Sequence, residues 1–165
     1  MERAFAAVRA LVYVPAFVFL WGWLAVRARG LDQRLGLELP SVVQVPGGVL
    51  AAAGGLLALS CIVAFVVEGR GTPALFDAPR EFVAAGPYRW VRNPMYVGAV
   101  CLLAGTALVL RSPSILGLAL AAGLLAHAVV VLVEEPSLAG KFGEKYEVYR
   151  RATPRWVPRK PREPR

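Results

Sequence analysis

Charged residues are scarce in this 165-residue sequence, and long stretches have none at all. Charged side chains make up 18% of the chain and apolar ones 57%, which is unusual for a soluble domain. Four uncharged stretches, residues 10–26, 45–67, 94–110 and 113–133, hold 17, 23, 17 and 21 residues. A helix of roughly 17–25 apolar residues crosses the core of a bilayer. The sequence therefore predicts an all-α integral membrane protein with four transmembrane helices.

The absence of charge inside these spans excludes several classes of membrane protein. Pumps, channels and proton relays carry charged groups near the membrane midplane, and no Lys, Arg, Asp or Glu lies there. The two cysteines, Cys61 and Cys101, both fall within spans and form no zinc or disulfide pattern, so no metal site is expected. Gly69-Arg70-Gly71 lacks the third glycine and the preceding strand of a dinucleotide fingerprint.

Positive charge is distributed unequally between the two ends of the spans. With four crossings, fifteen Lys and Arg residues lie on the side that holds both termini, and four lie on the other. Cytoplasmic segments carry such an excess, so both termini are expected in the cytoplasm, at an inner or plasma membrane. The net charge of +8 then indicates contact with anionic lipid rather than nucleic acid. Residues 27–40 are expected to be a short connection and residues 159–165 a disordered basic tail.

The second predicted span has many small residues, three or four positions apart, which suits close packing of helices in lipid. They are Gly47, Gly48, Ala51, Gly54, Gly55 and Ala58. This face would permit a dimer, although nothing in the sequence requires one.

A polar turn precedes the third predicted helix. Gly86-Pro87 favours a turn, and Asn93-Pro94 is typical of an N-cap followed by proline at the first helical position. Arg89 and Arg92 are therefore expected just outside an apolar helix. They are either a basic membrane anchor or part of an anion site at the helix N-terminus.

The fourth predicted helix has one polar residue near its middle, His127, and ends in Glu134-Glu135-Pro136. His127 and Glu134 lie seven residues apart, on nearly the same face, so His127 either lines a site or is a buried structural group. Two carboxylates at a helix C-terminus oppose the helix dipole, which favours a functional role over a solvated helix end.

A cytoplasmic amphipathic helix is predicted after Pro136, followed by an extended segment over residues 153–158. Leu138, Phe142, Tyr146 and Tyr149 are expected on its apolar face. In the four-span topology this helix could cover the cytoplasmic face as a lid.

That topology also brings one group of polar side chains to similar depth at the cytoplasmic face. The group comprises Glu68, Arg89, Arg92, Asn93, Glu134 and Glu135. Such an arrangement suits a reaction between a soluble ligand and a lipophilic molecule that arrives from the bilayer.

Five short motifs occur in order along the chain: Gly86-Pro87-Tyr88-Arg89, Arg92-Asn93-Pro94-Met95-Tyr96-Val97-Gly98, Glu134-Glu135, Phe142-Gly143-Glu144-Lys145-Tyr146-x-x-Tyr149 and Pro154-Arg155-Trp156-Val157-Pro158. In order and spacing they closely resemble the isoprenylcysteine carboxyl methyltransferase and phospholipid methyltransferase superfamily, over roughly residues 68–158. The resemblance implies a single membrane methyltransferase domain over residues 1–158, with its cofactor region at 68–158. It further implies that S-adenosylmethionine is enclosed between the ends of the third and fourth helices and the C-terminal segment.

This resemblance implies a set of site residues, which the chemistry of S-adenosylmethionine supports. Arg89 or Arg92 could hold its carboxylate, a glutamate could face its cationic groups, and aromatic rings could stack on it. The predicted catalytic residues are Arg92, Asn93, Glu134 and Glu135. The predicted cofactor-binding residues are Gly86, Pro87, Tyr88, Arg89, Arg92, Asn93, Pro94, Tyr96, His127, Glu134, Glu135, Phe142, Tyr146, Tyr149 and Trp156. Family members often have His where this chain has Asn93, so no acid–base role is carried over to it.

Two alternatives stay open from the sequence. One is an NADPH-dependent membrane reductase of the sterol-reductase type, and the other is a non-enzymatic small membrane protein. Within the methyltransferase interpretation the acceptor is lipophilic, an isoprenylcysteine-type carboxylate or a lipid amine, with a fatty acid or a small thiol also compatible.

Overall fold

A computed structural model describes residues 2–64, 67 and 85–158. Glu68 and the basic residues 159–165 lie outside the described residues, as does most of the connection between the second and third helices. Regular structure in the described part is helical, without strands. The α-helices are α1 (Glu2–Leu35), α2 (Gln44–Ala64), α3 (Pro94–Val109), α4 (Pro113–Val129), α5 (Glu135–Phe142) and α6 (Glu144–Ala152). Among the described residues there are also two 3₁₀ turns, Ser41–Val43 and Gly86–Arg89, and a π turn, Val130–Glu134.

Within residues 2–64, 67 and 85–158, two helical stretches are long and apolar enough to cross a membrane. Ser41–Ala64 has 24 residues and Pro113–Phe142 has 30. The third helix, α3, is apolar but has 16 residues. The part of the chain that the structure describes is thus helical, with two helices of membrane-crossing length, and four spans stay a prediction.

The first helix is longer than the sequence predicts. Residues 27–40 were expected to be a connection, but α1 continues to Leu35 and Gly36 follows with φ +65°. The reason is tertiary. Asp32 is buried and accepts hydrogen bonds from the Ser112 hydroxyl and, at 3.0 Å, from the Ser114 N–H. These bonds fix the last turns of α1 against the start of α4.

Helices α2 and α3 pack antiparallel through glycine. A Cβ added at Gly54 would lie 2.5 Å from the Leu102 nitrogen and 2.6 Å from the Gly98 carbonyl oxygen. One added at Gly98 would lie 2.8 Å from the Ala58 nitrogen. These neighbours are backbone atoms and cannot rotate aside, so only glycine allows this approach. Part of the small-residue face of α2 is therefore used within the chain. Gly48 on that face is exposed, and the dimer that the face would permit stays a prediction.

The fourth helix does not end at Glu134-Glu135-Pro136 as predicted. The Glu135 N–H bonds the Val130 carbonyl, five residues back, and α5 continues to Phe142. Pro136 has no N–H, and its ring would clash with the Leu132 carbonyl in a regular α-helix. The wider π turn accommodates that ring. Both carboxylates consequently lie inside a continuous helical stretch, so the expected conflict with a helix C-terminus does not arise.

The amphipathic helix expected after Pro136 is two helices. Gly143 lies between α5 and α6 with φ 54° and ψ −128°, which is not a helical conformation. Glycine tolerates this conformation, whereas L residues with a side chain rarely adopt it. Leu138 and Phe142 on α5 therefore do not share one continuous face with Tyr146 and Tyr149 on α6. Residues 153–158, after α6, are non-helical, as predicted, and begin with an extended Thr153.

The described elements form two polar ends joined by the helices. We use "site end" for the end of α2, residues 85–93, the start of α3, residues 134–135 and α6 with residues 153–156. We use "far end" for residues 29–44 and 109–114. A buried cluster of Cys61 and Tyr88, with Leu57 and Met95 against it, underlies the site end. Ala25, Ala107 and Ile115 pack beside the far end.

Candidate functional site

The turn before α3 has the predicted form. Gly86 adopts φ +55° at the start of its 3₁₀ turn, Asn93 occupies the N-cap position and Pro94 the first helical position. The Asn93 side chain, however, makes no capping bond. Its Nδ2 donates instead to the Arg155 carbonyl at 3.3 Å. Asn93 thus connects the start of α3 to the C-terminal segment.

Residues 153–156, which we call the strap, lie across the start of α3. The Arg92 N–H donates to the Pro154 carbonyl at 2.9 Å, next to the Asn93 bond to Arg155. Farther along, the Trp156 indole Nε1 donates to His127 Nδ1 at 3.1 Å. The strap is therefore held at three successive residues.

A buried ion cluster lies under the strap. Arg155 holds both carboxylate oxygens of Glu135, with Nε 2.7 Å from Oε1 and Nη2 2.9 Å from Oε2. Nη1 of Arg92 lies 3.0 Å from the same Oε1, and the side chains of Arg92 and Glu135 are about nine-tenths buried. The hydrogen bonds to Glu135 raise the pKa of the Arg155 guanidinium. One carboxylate thus serves two arginines, bidentate to one and monodentate to the other.

Arg92 is left with unused hydrogen-bond donors. Its Nε and Nη1 are buried and have no hydrogen-bond partner among the described residues. The contact of Nη1 with Glu135 is close enough for an ion pair but lacks hydrogen-bond geometry. A buried donor without a partner costs about 1–3 kcal/mol. These two nitrogens therefore mark a position where an acceptor group would be stabilised.

Tyr146 and Tyr149 lie near Arg92, and Tyr88 adjoins Tyr149. The Tyr146 hydroxyl is within hydrogen-bonding reach of Arg92, and Tyr149 donates its hydroxyl to the Tyr88 carbonyl at 2.7 Å. Burial raises the pKa of all three phenols, and for Tyr146 and Tyr149 the nearby Arg92 charge opposes that rise. They are consequently neutral at physiological pH and add no negative charge beside Arg92.

The two adjacent glutamates have different partners. Glu135 is paired with two arginines, whereas Glu134 accepts a hydrogen bond from the Tyr96 hydroxyl at 3.1 Å. Glu134 is therefore the carboxylate that the two site arginines leave uncompensated.

Several predicted site residues lie apart from this cluster. Arg89 is exposed, while Arg92 is buried. His127 is exposed on α4 and accepts from Trp156 through Nδ1, so the neutral ring carries its proton on Nε2. Phe142 is half-buried, with Lys141 Nζ 5.5 Å from its ring centroid. The structure brings together Tyr88, Arg92, Asn93, Tyr96, Glu134, Glu135, Tyr146 and Tyr149, with Gly86, Pro87, Pro94 and Trp156 in the supporting turns and the strap.

Arg155 is the site residue absent from the sequence-based set. Its position between two prolines, inside a motif that carried the resemblance, was one available signal. The second signal was the pair of adjacent carboxylates, Glu134 and Glu135. At a membrane boundary two such groups need more than one positively charged partner.

The chain matches the family model described as phospholipid methyltransferase over residues 42–145, more than half of its length. It therefore belongs to the phospholipid methyltransferase family, and the resemblance noted from the motifs is confirmed. The matched residues include Arg92, Asn93, Glu134 and Glu135, whereas Arg155 and Trp156 lie beyond them. No curated protein and no solved structure matches the chain. Family membership and the apolar helices support a methyltransferase associated with membranes.

Proposed function

We propose that this protein is an S-adenosylmethionine-dependent methyltransferase that acts on a lipophilic acceptor at the cytoplasmic face of a membrane. One observation carries this proposal most directly: Arg92 has two buried donors without hydrogen-bond partners among the described residues, within the region matched to a methyltransferase family. An anionic ligand is the simplest group that such a position would bind, because hydrogen bonds to a charged acceptor are the stronger ones.

The residues present fit this cofactor. Its carboxylate would accept from Nε or Nη1 of Arg92, and Tyr88, Tyr146 and Tyr149 supply neutral aromatic surfaces beside it. Glu134 could face the ammonium or the sulfonium, since neither site arginine neutralises it. When bound, S-adenosylmethionine supplies the methyl group for an in-line displacement. The role of this chain is then to bind, orient and exclude water.

The acceptor is proposed to be an isoprenylcysteine-type carboxylate or a lipid amine. A carboxylate acceptor is ionised already and needs no general base, whereas an amine must lose a proton before transfer. Leu132 and Val133, just before Glu134, are exposed apolar residues, and in the proposed topology they would face an acceptor that arrives from lipid.

Four membrane crossings with both termini in the cytoplasm complete the proposal. The fifteen-to-four asymmetry of Lys and Arg supports that orientation, and contact of the basic segments with anionic lipid follows from it. A topology reporter fused after Arg165 is expected to respond from the cytoplasmic side. A signal from the opposite side would reject the orientation.

Ligand titration distinguishes the proposed function from its rivals. Purified protein should bind S-adenosylhomocysteine in isothermal titration and should not bind NADPH. Incubation with methyl-labelled S-adenosylmethionine and a total lipid extract should then give a labelled lipid, whose mass spectrum identifies the acceptor. Binding of NADPH alone would support a reductase, and binding of neither ligand would reject a cofactor site at Arg92.

A further inference from the structure

Arg155 occupies both oxygens of the carboxylate that would otherwise be free to pair with Arg92. Its Nε and Nη2 lie 2.7 Å and 2.9 Å from the two oxygens of Glu135. Arg92 approaches only Oε1, at 3.0 Å, without hydrogen-bond geometry. The orientation of Glu135 is therefore set by Arg155 rather than by Arg92.

We propose that Arg155 is a positioning residue, which holds Glu135 in an orientation that leaves two donors of Arg92 available to an anionic ligand. The identity of that ligand as the carboxylate of S-adenosylmethionine rests on the proposed function. The role of Arg155 itself rests on the geometry of the three side chains.

The physical argument is a competition for Arg92. An arginine beside a buried carboxylate normally forms a short, bidentate, charge-assisted pair. Glu135 forms that pair with Arg155 instead, because the carboxylate has only two oxygens and Arg155 takes both. Without Arg155, Glu135 is free to rotate and hydrogen-bond to Arg92. It would then occupy donors that the ligand requires, and the ligand would have to displace it.

The strap fixes Arg155 from both sides. Pro154 accepts from the Arg92 N–H, the Arg155 carbonyl accepts from Asn93, and Trp156 donates to His127. The guanidinium of Arg155 is thus presented to Glu135 by a segment whose backbone is tied to the start of α3. This assigns Asn93 and His127 a part in holding the strap, outside any acid–base role.

The test compares Arg155→Ala, Arg155→Lys and a double variant that combines Arg155→Ala with Glu135→Gln. S-adenosylhomocysteine affinity by isothermal titration and the thermal midpoint without ligand are measured for each and for the wild-type protein. Arg155→Ala should weaken binding by roughly tenfold, the effect of one charge-assisted hydrogen bond. Arg155→Lys should fall between Ala and wild type, because it keeps the charge but not the bidentate geometry. Arg151→Ala, on the exposed side of α6, is the matched control and should leave affinity unchanged.

The double variant separates competition from a merely structural role. The Glu135→Gln change removes the charge that would otherwise claim Arg92, so the double variant should bind more tightly than Arg155→Ala alone. If Arg155 only stabilises the strap, the double variant should bind no better, and that result would overturn the proposal. So would unchanged affinity in Arg155→Ala. Failure of the wild-type protein to bind S-adenosylhomocysteine would instead reject the proposed function and, with it, this role of Arg155.

Discussion

The two polar ends of the molecule use the same residue types and differ in how completely they are paired. At the far end, Arg29 Nη1 donates to the Leu110 carbonyl at 2.7 Å, and Gln44 Nε2 donates to the Val109 carbonyl at 3.1 Å, which satisfies the last carbonyls of α3. Arg111 adopts φ 55° and exchanges two hydrogen bonds with Leu39, through its carbonyl and its Nε. This end forms a mutually satisfied network.

At the site end, Arg155 and Arg92 differ in how far their hydrogen-bond donors have partners. Arg155 is fully engaged with Glu135, whereas Arg92 keeps two buried donors without hydrogen-bond partners among the residues described. Burial and charge alone do not distinguish the two ends, since Asp32 at the far end is as buried as Glu135. The two ends are distinguished by how completely their polar groups are paired. This degree of pairing separates a cluster that holds helices together from one that, under the proposed function, would bind a ligand.

The largest expected effect would weaken both ends together, through the helix pair that joins them. A Cβ at Gly105 would lie 2.7 Å from the Ala51 Cα and 2.7 Å from the Gly47 carbonyl oxygen. Gly105→Ala should therefore lower the free energy of unfolding by about 3 kcal/mol, because backbone must move. Gly117→Ala is the control, with nothing within 4 Å of the added carbon, and should be neutral or slightly stabilising. Equal stability of the two variants would contradict the close packing of α2 on α3.

Replacing Arg92 should affect ligand binding more than stability. Arg92→Lys keeps the charge but loses the planar set of donors, so affinity for S-adenosylhomocysteine should fall by roughly ten- to a hundred-fold, about 1.5–3 kcal/mol. Arg89→Lys is the matched control, since Arg89 is exposed and lies three residues before Arg92. If both arginines were membrane anchors, both substitutions would be almost silent in a titration, and the ligand role of Arg92 would be excluded.

Replacing Asp32 should affect stability more than ligand binding. Asp32→Asn keeps the shape but removes the charge that accepts from Ser112 and Ser114, so the free energy of unfolding should fall by about 1–2 kcal/mol. Ligand affinity should not change. Glu38→Gln disrupts an exposed ion pair with Arg111 at the same end and should cost less than about 1 kcal/mol. A clear loss of affinity in Asp32→Asn would show that the two ends are coupled.

The smallest expected effect concerns the tyrosine that ties α6 to the turn before α3. Tyr149→Phe removes the hydrogen bond to the Tyr88 carbonyl and should cost about 1 kcal/mol in unfolding free energy at pH 8. Burial holds the pKa of Tyr149 above its ordinary value of 10, so ionisation favours the unfolded state once the pH exceeds 10. Wild-type stability should decline as the pH rises from 10 to 11, and the variant should decline less steeply. A parallel decline would remove Tyr149 from this linkage.

Local patterns predicted the positions of α2, α3 and α4 well. Uncharged length and the Asn93-Pro94 pair depend on neighbours in sequence, so these three helices and the start of α3 followed from them. The extension of α1 to Leu35 was not predicted, because Asp32 and several residues near it are polar. Their helical state depends on partners about eighty positions away.

The detail of the site was also beyond local patterns. Which of Arg89 and Arg92 faces inward depends on how the turn before α3 packs on α6. The exposure of His127 depends on how α4 is rotated about its own axis, and contacts with the neighbouring helices set that rotation. The contact of Arg155 with Glu135 depends on the strap, which packs against Asn93, 62 residues earlier in the chain.

The π turn between α4 and α5 affects how this segment of the protein would tolerate deletions. It contains one residue more than the α-helical register requires, so deletion of any single residue from 130–133 could restore regular winding locally. Regular winding would return the Pro136 ring to a clash with the carbonyl four residues before it, at a cost of about 3 kcal/mol. Substitutions in this turn alter single contacts, whereas a one-residue deletion would strain the segment that carries Glu134 and Glu135. Length in this short stretch is therefore under stricter constraint than residue identity.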